Sequence, residues 1–265
     1  MNPFPLLVAT DLDGTIVHSD GTISARTVAA FARVEAAGAR FTLVTGRPPR
    51  VMRAIAAAFG HRGTAICSNG ALEYDMRTDA VTARHLIAPE TLVAAARALR
   101  ATIPGIGLAV ERPDSRAADD AYQAVNFDTN ASIPRPGDRA LFGEPAAKLL
   151  ARHLDYGPDE LLALAAPALD GLVSASHSSG VGLVEIAAAG VSKGTAVAEL
   201  AARAGISSAD VLAFGDMPND LPLLVWAGTS CAVANAHPAV LAAATCVIGG
   251  NDEDGVAAYL ERIYP

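Results

Sequence analysis

Residues 6–15, Leu6-Leu7-Val8-Ala9-Thr10-Asp11-Leu12-Asp13-Gly14-Thr15, decide how this chain is read. The stretch Leu6 to Thr10 is short and nearly continuously apolar, as expected of a strand covered on both faces. It delivers two carboxylates, spaced i and i+2, to its C-terminal end. Carboxylates are costly to cluster there unless a cation or a reaction uses them. Gly14 lets the backbone turn sharply and Thr15 adds a hydroxyl. The set suits one hard divalent cation with a nucleophilic carboxylate beside it. Alone, it is equally compatible with a capped turn. Its meaning depends on partners elsewhere in the chain.

The spacing predicts a small hairpin over residues 16–23, turning at Ser19-Asp20-Gly21. Ser24 then caps a helix whose apolar positions Val28, Phe31, Ala32 and Val34 recur at helical spacing, and Gly38 ends it. A second strand over residues 41–44 runs into Thr45-Gly46-Arg47-Pro48, with the proline opening the next helix. A third, over 64–67, runs into Ser68-Asn69-Gly70. The pattern resumes late with a helix over 193–204. A strand over 211–214 then leads into Gly215-Asp216-Met217-Pro218-Asn219-Asp220, followed by a helix over 218–226. Short strands at 231–233 and 246–248 and a last helix ending at Ile263 complete it. Such alternation predicts an α/β fold with a doubly wound parallel sheet.

Between residues 84 and 187 the rhythm changes. A helix over 89–101 and a strand over 107–111 precede a polar, Pro-rich stretch from 112 to 137. A strand over 147–151, a helix over 159–169 and two strands joined by His177-Ser178-Ser179-Gly180 follow. The prediction is an α+β insertion with an antiparallel sheet, so that residues 1–83 and 188–265 form the core and 84–187 the inserted domain.

Composition narrows the function. The 265 residues carry 20 Lys and Arg against 28 Asp and Glu, a net charge of −8. With no long basic run, a nucleic-acid partner or an anionic membrane surface is disfavoured. An anionic ligand would need local positive groups or a metal. No apolar stretch approaches the ~20 residues of a membrane span. Residues Met1 to Pro5 lack the features of a signal peptide, so a cytoplasmic protein is expected. Cys67, Cys231 and Cys246 match no zinc spacing and read as buried, reduced thiols.

In open α/β sheets, ligands gather beyond the carboxyl ends of the strands. Asp11/Asp13, Thr45-Gly46-Arg47, Ser68-Asn69-Gly70 and Asp216/Asn219/Asp220 all fall at such ends, and Lys193-Gly194 begins a helix. Each alone has a plain explanation: Thr45, Asp216 or Asp220 as caps, Lys193 as a solvated lysine, Arg47 as a surface ion pair. Their coincidence does not. Together, Asp11-Leu12-Asp13-Gly14-Thr15, Thr45-Gly46-Arg47, Lys193-Gly194 and Gly215-Asp216-x-x-Asn219-Asp220 resemble the four motifs of the haloacid dehalogenase (HAD) superfamily. The insertion resembles the C2B-type cap of its Cof-like (class IIB) hydrolases. Ser68-Asn69-Gly70-Ala71 and Asp254-Gly255-Val256-Ala257 are also similar to that branch.

The resemblance implies a Mg²⁺-dependent phosphomonoester hydrolase of a small phosphorylated metabolite, a sugar phosphate or phosphorylated cofactor, on a Rossmann-like core. Asp11 would be the nucleophile that forms an aspartyl-phosphate, and Asp13 the general acid and base. Mg²⁺ would be held by Asp11, the Asp13 carbonyl and Asp216. Phosphate and substrate contacts would come from Leu12, Thr45, Gly46, Arg47, Asn69, Lys193 and Asn219, with Asp220 behind them. Met217-Pro218 departs from the small or acidic residues common in the fourth motif. A phosphomutase or phosphotransferase would need the same residues, and a non-catalytic metal-binding module is a more distant alternative. Within the cap, His177 and Asn126 are candidates for leaving-group contact, without a motif to support either. His18 faces either solvent or the site.

Overall fold

The computed structural model describes residues 4–124 and 132–265. Two sheets organise it. The larger has eight strands: β1 Leu7–Thr10, β2 Arg40–Val44, β3 Thr64–Cys67, β4 Leu72–Asp75, β5 Ala80–Arg84, β11 Val211–Gly215, β12 Thr229–Val233 and β13 Cys246–Ile248. Their order is β13-β12-β11-β1-β2-β3-β4-β5. The first six run parallel; β4 and β5 turn back antiparallel. All four residues of β1 are buried, as its apolar run requires. Because β1 lies between β2 and β11, the chain leaves it in opposite directions, and the crevice at this switch point receives Asp11 and Asp13.

Helices follow the strands. Helix α1 (Ala25–Ala36) starts at Ser24, whose hydroxyl accepts from the Thr27 N–H. Residues 49–51 form a 3₁₀ turn before α2 (Arg53–Ala58). Helices α6 (Lys193–Arg203), α7 (Leu221–Trp226), α8 (Pro238–Ala243) and α9 (Gly255–Ile263) belong to the returning half. Helix α1 packs on α9 and α6 on α7. Phe31, Phe41 and Phe59 stack edge-to-face or tilted where α1, β2 and α2 meet.

The second sheet is antiparallel, in the order β7-β6-β8-β10-β9: β6 Gly107–Glu111, β7 Arg116–Ala118, β8 Lys148–Arg152, β9 Val173–Ser176 and β10 Leu183–Ala188. Strand alternation sorts its two faces. Leu108, Val110, Leu149, Ala151, Val184 and Ile186 enter a hydrophobic core with residues of α3 (Pro89–Thr102) and α5 (Pro158–Leu169). The intervening residues Glu111, Lys148, Leu150, Leu183 and Glu185 face the other way. Lys148, Leu150, Leu183 and Glu185 line the cavity at the β1 switch point.

Several details depart from the sequence reading. Residues 16–23 form no hairpin: the segment carries one isolated bridge between Asp13 and Val17, and Asp20 closes its turn on Thr22. The pair β4–β5 and the short β7 are additional strands. The helix expected from residue 218 begins as a 3₁₀ turn over Pro218–Asp220. A single helical turn, α4 (Asp138–Leu141), follows the polar, Pro-rich stretch.

Candidate active site

Each parallel strand end contributes one part. Beyond β1, Asp11 is 5% exposed and its Oδ1 accepts from Lys193 Nζ at 2.5 Å. Lys193 opens α6 behind a capping box formed by Ser192 and Thr195. A lysine at a helix N-terminus opposes the helix dipole, and this one is 1% exposed. Its position is explained by two carboxylates, Asp11 and Asp220, the latter at 2.6 Å. Burial alone would lower the ammonium; Asp11 and Asp220 outweigh it and hold Lys193 well above its ordinary range. The solvated-lysine reading is excluded.

Beyond β11, Asp216 Oδ1 accepts from the Thr15 hydroxyl at 3.0 Å. Asp220 spends its second oxygen on the N–H groups of Asp216 and Met217, both at 3.0 Å. Both oxygens of Asp220 are thus engaged, and its task is to hold Lys193 and shape the loop. The Met217-Pro218 departure leaves this ligand geometry intact. Beyond β2, Thr45 is fully buried, and its hydroxyl accepts from the Arg47 N–H at 3.1 Å. Arg47 Nε and Nη2 grip the two oxygens of Asp13 at 2.8 and 2.5 Å. That hydrogen bonding is the main reason the guanidinium lies above its usual range. Leu12 directs its side chain into the core, so any ligand contact from it is through the main chain. Beyond β3, Asn69 Oδ1 accepts from Asn219 Nδ2 at 3.0 Å.

The cavity between the two sheets measures about 410 Å³. Asp11, Asp13, Gly46, Arg47, Asp216 and Asn219 line it from below; Arg116, Lys148, Ser178, Ser179 and Glu185 line it from the insertion. Thr45, Asn69, Lys193 and Asp220 stand behind the wall. Lys148 Nζ reaches Glu185 at 2.6 Å and, across the divide, the Gly46 carbonyl at 2.8 Å. These insertion residues were missed from the sequence. Their signal was available: Lys148 and Glu185 are single charges inside apolar strand runs, a placement rare without a partner or a task.

His177 lies elsewhere. It is buried, with Nε2 2.8 Å from Asp159 Oδ1, while His237 of the core approaches Asp159 Oδ2 at 3.4 Å. His237 Nδ1 already accepts from the Ala239 N–H. Its neutral ring therefore carries the proton on Nε2, which makes the trio a hydrogen-bonded clasp between core and insertion rather than a metal centre. His18 pairs with Asp254 at 2.9 Å and is not in the cavity lining. Asn126 lies outside the described residues. Cys67 and Cys231 are buried and free, and Cys246 is partly buried.

A divalent cation fits the donor set. Burial pushes the Asp11 carboxyl well above the usual range; Lys193 opposes this while Asp220, Asp216 and Asp13 add to it. Burial and then Asp220 push Asp216 up to about 7. Close, dry carboxylates of this kind call for positive charge. Asn219 Oδ1 is buried beside them without a hydrogen-bond partner, an acceptor suited to a water on a hydrated Mg²⁺. Asp11, Asp216 and the Asp13 carbonyl would hold the ion.

Two expected outcomes arise here. In cation-free protein the Asp216 pKa lies above the ~3.9 of an unfolded chain. The native state therefore keeps a proton that the unfolded state has released, and stability falls as pH rises from about 4 through 7. A cation that needs the ionised carboxylates stabilises more as that proton leaves. Adding Mg²⁺ should thus raise Tm more at about pH 8 than at about pH 6; an equal or smaller rise at the higher pH would refute the assignment. Gly14 has φ +78°, and a Cβ there would overlap Asp216 Oδ2. Gly14→Ala should cost roughly 1–3 kcal/mol in urea unfolding and weaken the Mg²⁺-induced Tm rise. A variant matching wild type in both would remove the steric argument.

The family model of haloacid dehalogenase-like hydrolases matches residues 8–260. The chain is 29% identical to the 5-amino-6-(5-phospho-D-ribitylamino)uracil phosphatase YwtE of Bacillus subtilis (strain 168), with 97% of each chain covered. It is 28% identical to the pyridoxal phosphate phosphatase YbhA of Escherichia coli (strain K12), covering 96% of this chain and 97% of that one. Among solved structures, BT1666 from Bacteroides thetaiotaomicron, a phosphatase of the same superfamily, superposes with a TM-score of 0.83. Sequence identity there is 20%, with coverage of 98% and 96%.

Proposed function

Since the chain belongs to the haloacid dehalogenase-like hydrolases, in their Cof-like branch, we propose that it is a Mg²⁺-dependent phosphatase of small phosphorylated metabolites. The observation that carries this reading is the buried Asp11–Lys193–Asp220 group beside Asp216, opening into a polar cavity shared with the insertion. The two curated relatives act on a phosphorylated ribitylaminouracil and on pyridoxal phosphate. A sugar phosphate or a phosphorylated cofactor of that size suits the cavity. Residues 84–187 serve as a cap over it.

In this mechanism an Asp11 carboxylate oxygen attacks phosphorus in line, and the P–O bond to the leaving group breaks. Asp13 gives a proton to the departing oxygen, leaving an alcohol and an aspartyl-phosphate. It then takes a proton from water, whose oxygen attacks phosphorus, releasing phosphate and restoring Asp11. Both Asp13 oxygens accept from Arg47, so substrate must draw the guanidinium off one of them before proton transfer. Lys193, Thr45 and the Gly46 amide offset charge on the phosphoryl oxygens. Mg²⁺, when bound, supplies further positive charge to those oxygens. The cap excludes bulk water.

No helix among the described residues is long and apolar enough to cross a membrane; a cytoplasmic setting is part of the proposal. A panel of sugar phosphates, nucleotides and phosphorylated cofactors, assayed for phosphate release with and without Mg²⁺, tests the whole reading. Metal-dependent release from members of the panel is expected. No release from any of them would overturn it, and isomerised ester in place of free phosphate would favour a mutase.

A further inference from the structure

The turn Ser68-Asn69-Gly70 is built in a way that ordinary strand ends are not. Ser68 and Asn69 have φ of 51° and 58°, and Gly70 follows at 107°. Left-handed backbone is disfavoured for residues with a Cβ, Asn being among the most tolerant. Such strain persists only where the surroundings over-determine it. Here the Ser68 N–H donates to the Arg47 carbonyl and the Asn69 N–H to the Thr45 carbonyl, each at 3.0 Å. On the other side, a Cβ on Gly70 would overlap the Ser192 carbonyl oxygen. The turn is therefore wedged between the Thr45 loop and the start of the helix that presents Lys193.

The strain places one side chain. Asn69 is 5% exposed, accepts from Asn219 Nδ2 at 3.0 Å, and also hydrogen-bonds Glu185 of the cap. Burial would raise the Glu185 carboxyl; Lys148, then Ser178 and Asn69, hold it below its usual range. A carboxylate only accepts, so Glu185 obliges Asn69 to turn its NH₂ toward the cap and its oxygen toward Asn219. Asn219 must then give its own NH₂ to Asn69 and turn Oδ1 away. That oxygen is the buried acceptor without a partner, and Asn219 lines the cavity.

We propose that Asn69 is a positioning residue that couples the seating of the cap to the orientation of Asn219, through a fixed sequence of donors and acceptors running Glu185, Asn69, Asn219. With the cap lifted, Glu185 departs and neither amide has a set direction. With the cap seated, the Asn219 oxygen is aimed into the site. The coupling rests on the phosphohydrolase reading for its kinetic consequence, but not for its geometry.

Asp and Asn both tolerate left-handed backbone, so Asn69→Asp keeps the turn and the acceptor for Asn219 while losing the donor to Glu185. Its kcat should fall about tenfold or more with KM changed less than about threefold, and Tm should stay near wild type. Glu185→Gln reverses the sequence of donors and should also lower kcat. The double variant Asn69→Asp/Glu185→Gln restores the pairing, because the amide introduced at position 185 donates to the carboxylate introduced at position 69, and should recover most of the lost kcat. Asn69→Gly, which relaxes the turn, should lose kcat without losing Tm. Hydrogen exchange at the amides of residues 45–70 reads the same coupling without turnover. It should quicken in Asn69→Asp and slow again in the double variant. If wild type releases no phosphate, the functional reading fails and exchange alone judges the coupling. Unchanged exchange in Asn69→Asp, or a double variant no better than the product of the single effects, would overturn the proposal.

Discussion

Replacing Asp11 by Asn is expected to abolish phosphate release, by a factor on the order of 10⁴ or more, with the fold intact. The amide oxygen can still accept from Lys193, whose second partner Asp220 is unaffected. What disappears is a nucleophilic oxygen and one of the like charges that crowd Asp216. The circular-dichroism spectrum and Tm of this variant should therefore stay close to wild type while turnover vanishes. Rapid quenching during turnover should trap phosphate on the wild-type chain and none on the variant. Turnover within about tenfold of wild type would remove Asp11 as the nucleophile.

The second large effect concerns Lys193. Replacement by Met preserves most of the volume but leaves Asp11 and Asp220 buried without their cation. Breaking a buried pair by removing one partner costs about 3–5 kcal/mol, and the loss of charge on the phosphoryl oxygens should lower kcat by roughly 10²–10³. The destabilisation should be smaller at low pH, where Asp11 and Asp216, already raised, take up protons. Adding Asp11→Asn to Lys193→Met should recover part of the stability and none of the activity, because the two side chains interact directly. Urea unfolding of the four proteins measures this cycle. Strictly additive stabilities would mean that Lys193 is not paired with Asp11.

The parallel core was legible because its strands are uninterrupted apolar runs ending in Asp11, Thr45, Ser68 and Asp216, each at a change from apolar to polar chemistry. The additional strands were not. In β5, residues alternate between exposed and half-buried, so burial leaves no apolar run to recognise. Strand β7 has three residues inside a polar stretch. The same limit applies to the site. Residues anchored by local sequence, such as Asp11 and Lys193, could be read with their chemistry. The bidentate grip of Arg47 on Asp13, and the alignment of Glu111, Lys148 and Glu185 on one face, depend on register between strands far apart in sequence. Periodicity within one segment does not report that register.

The strand order has a consequence for how the chain is made. Strand β1 is among the first segments to leave the ribosome, yet one of its two edges pairs with β11, which begins at Val211. The cap, with a hydrophobic core of its own, is synthesised in between and can fold while β1 waits. At ~5–20 residues per second that wait lasts on the order of tens of seconds. Throughout it, an apolar strand ending in paired carboxylates presents an open edge to other nascent chains. Protein yield should therefore respond to chaperone supply and translation speed more than the stability of the finished enzyme would suggest.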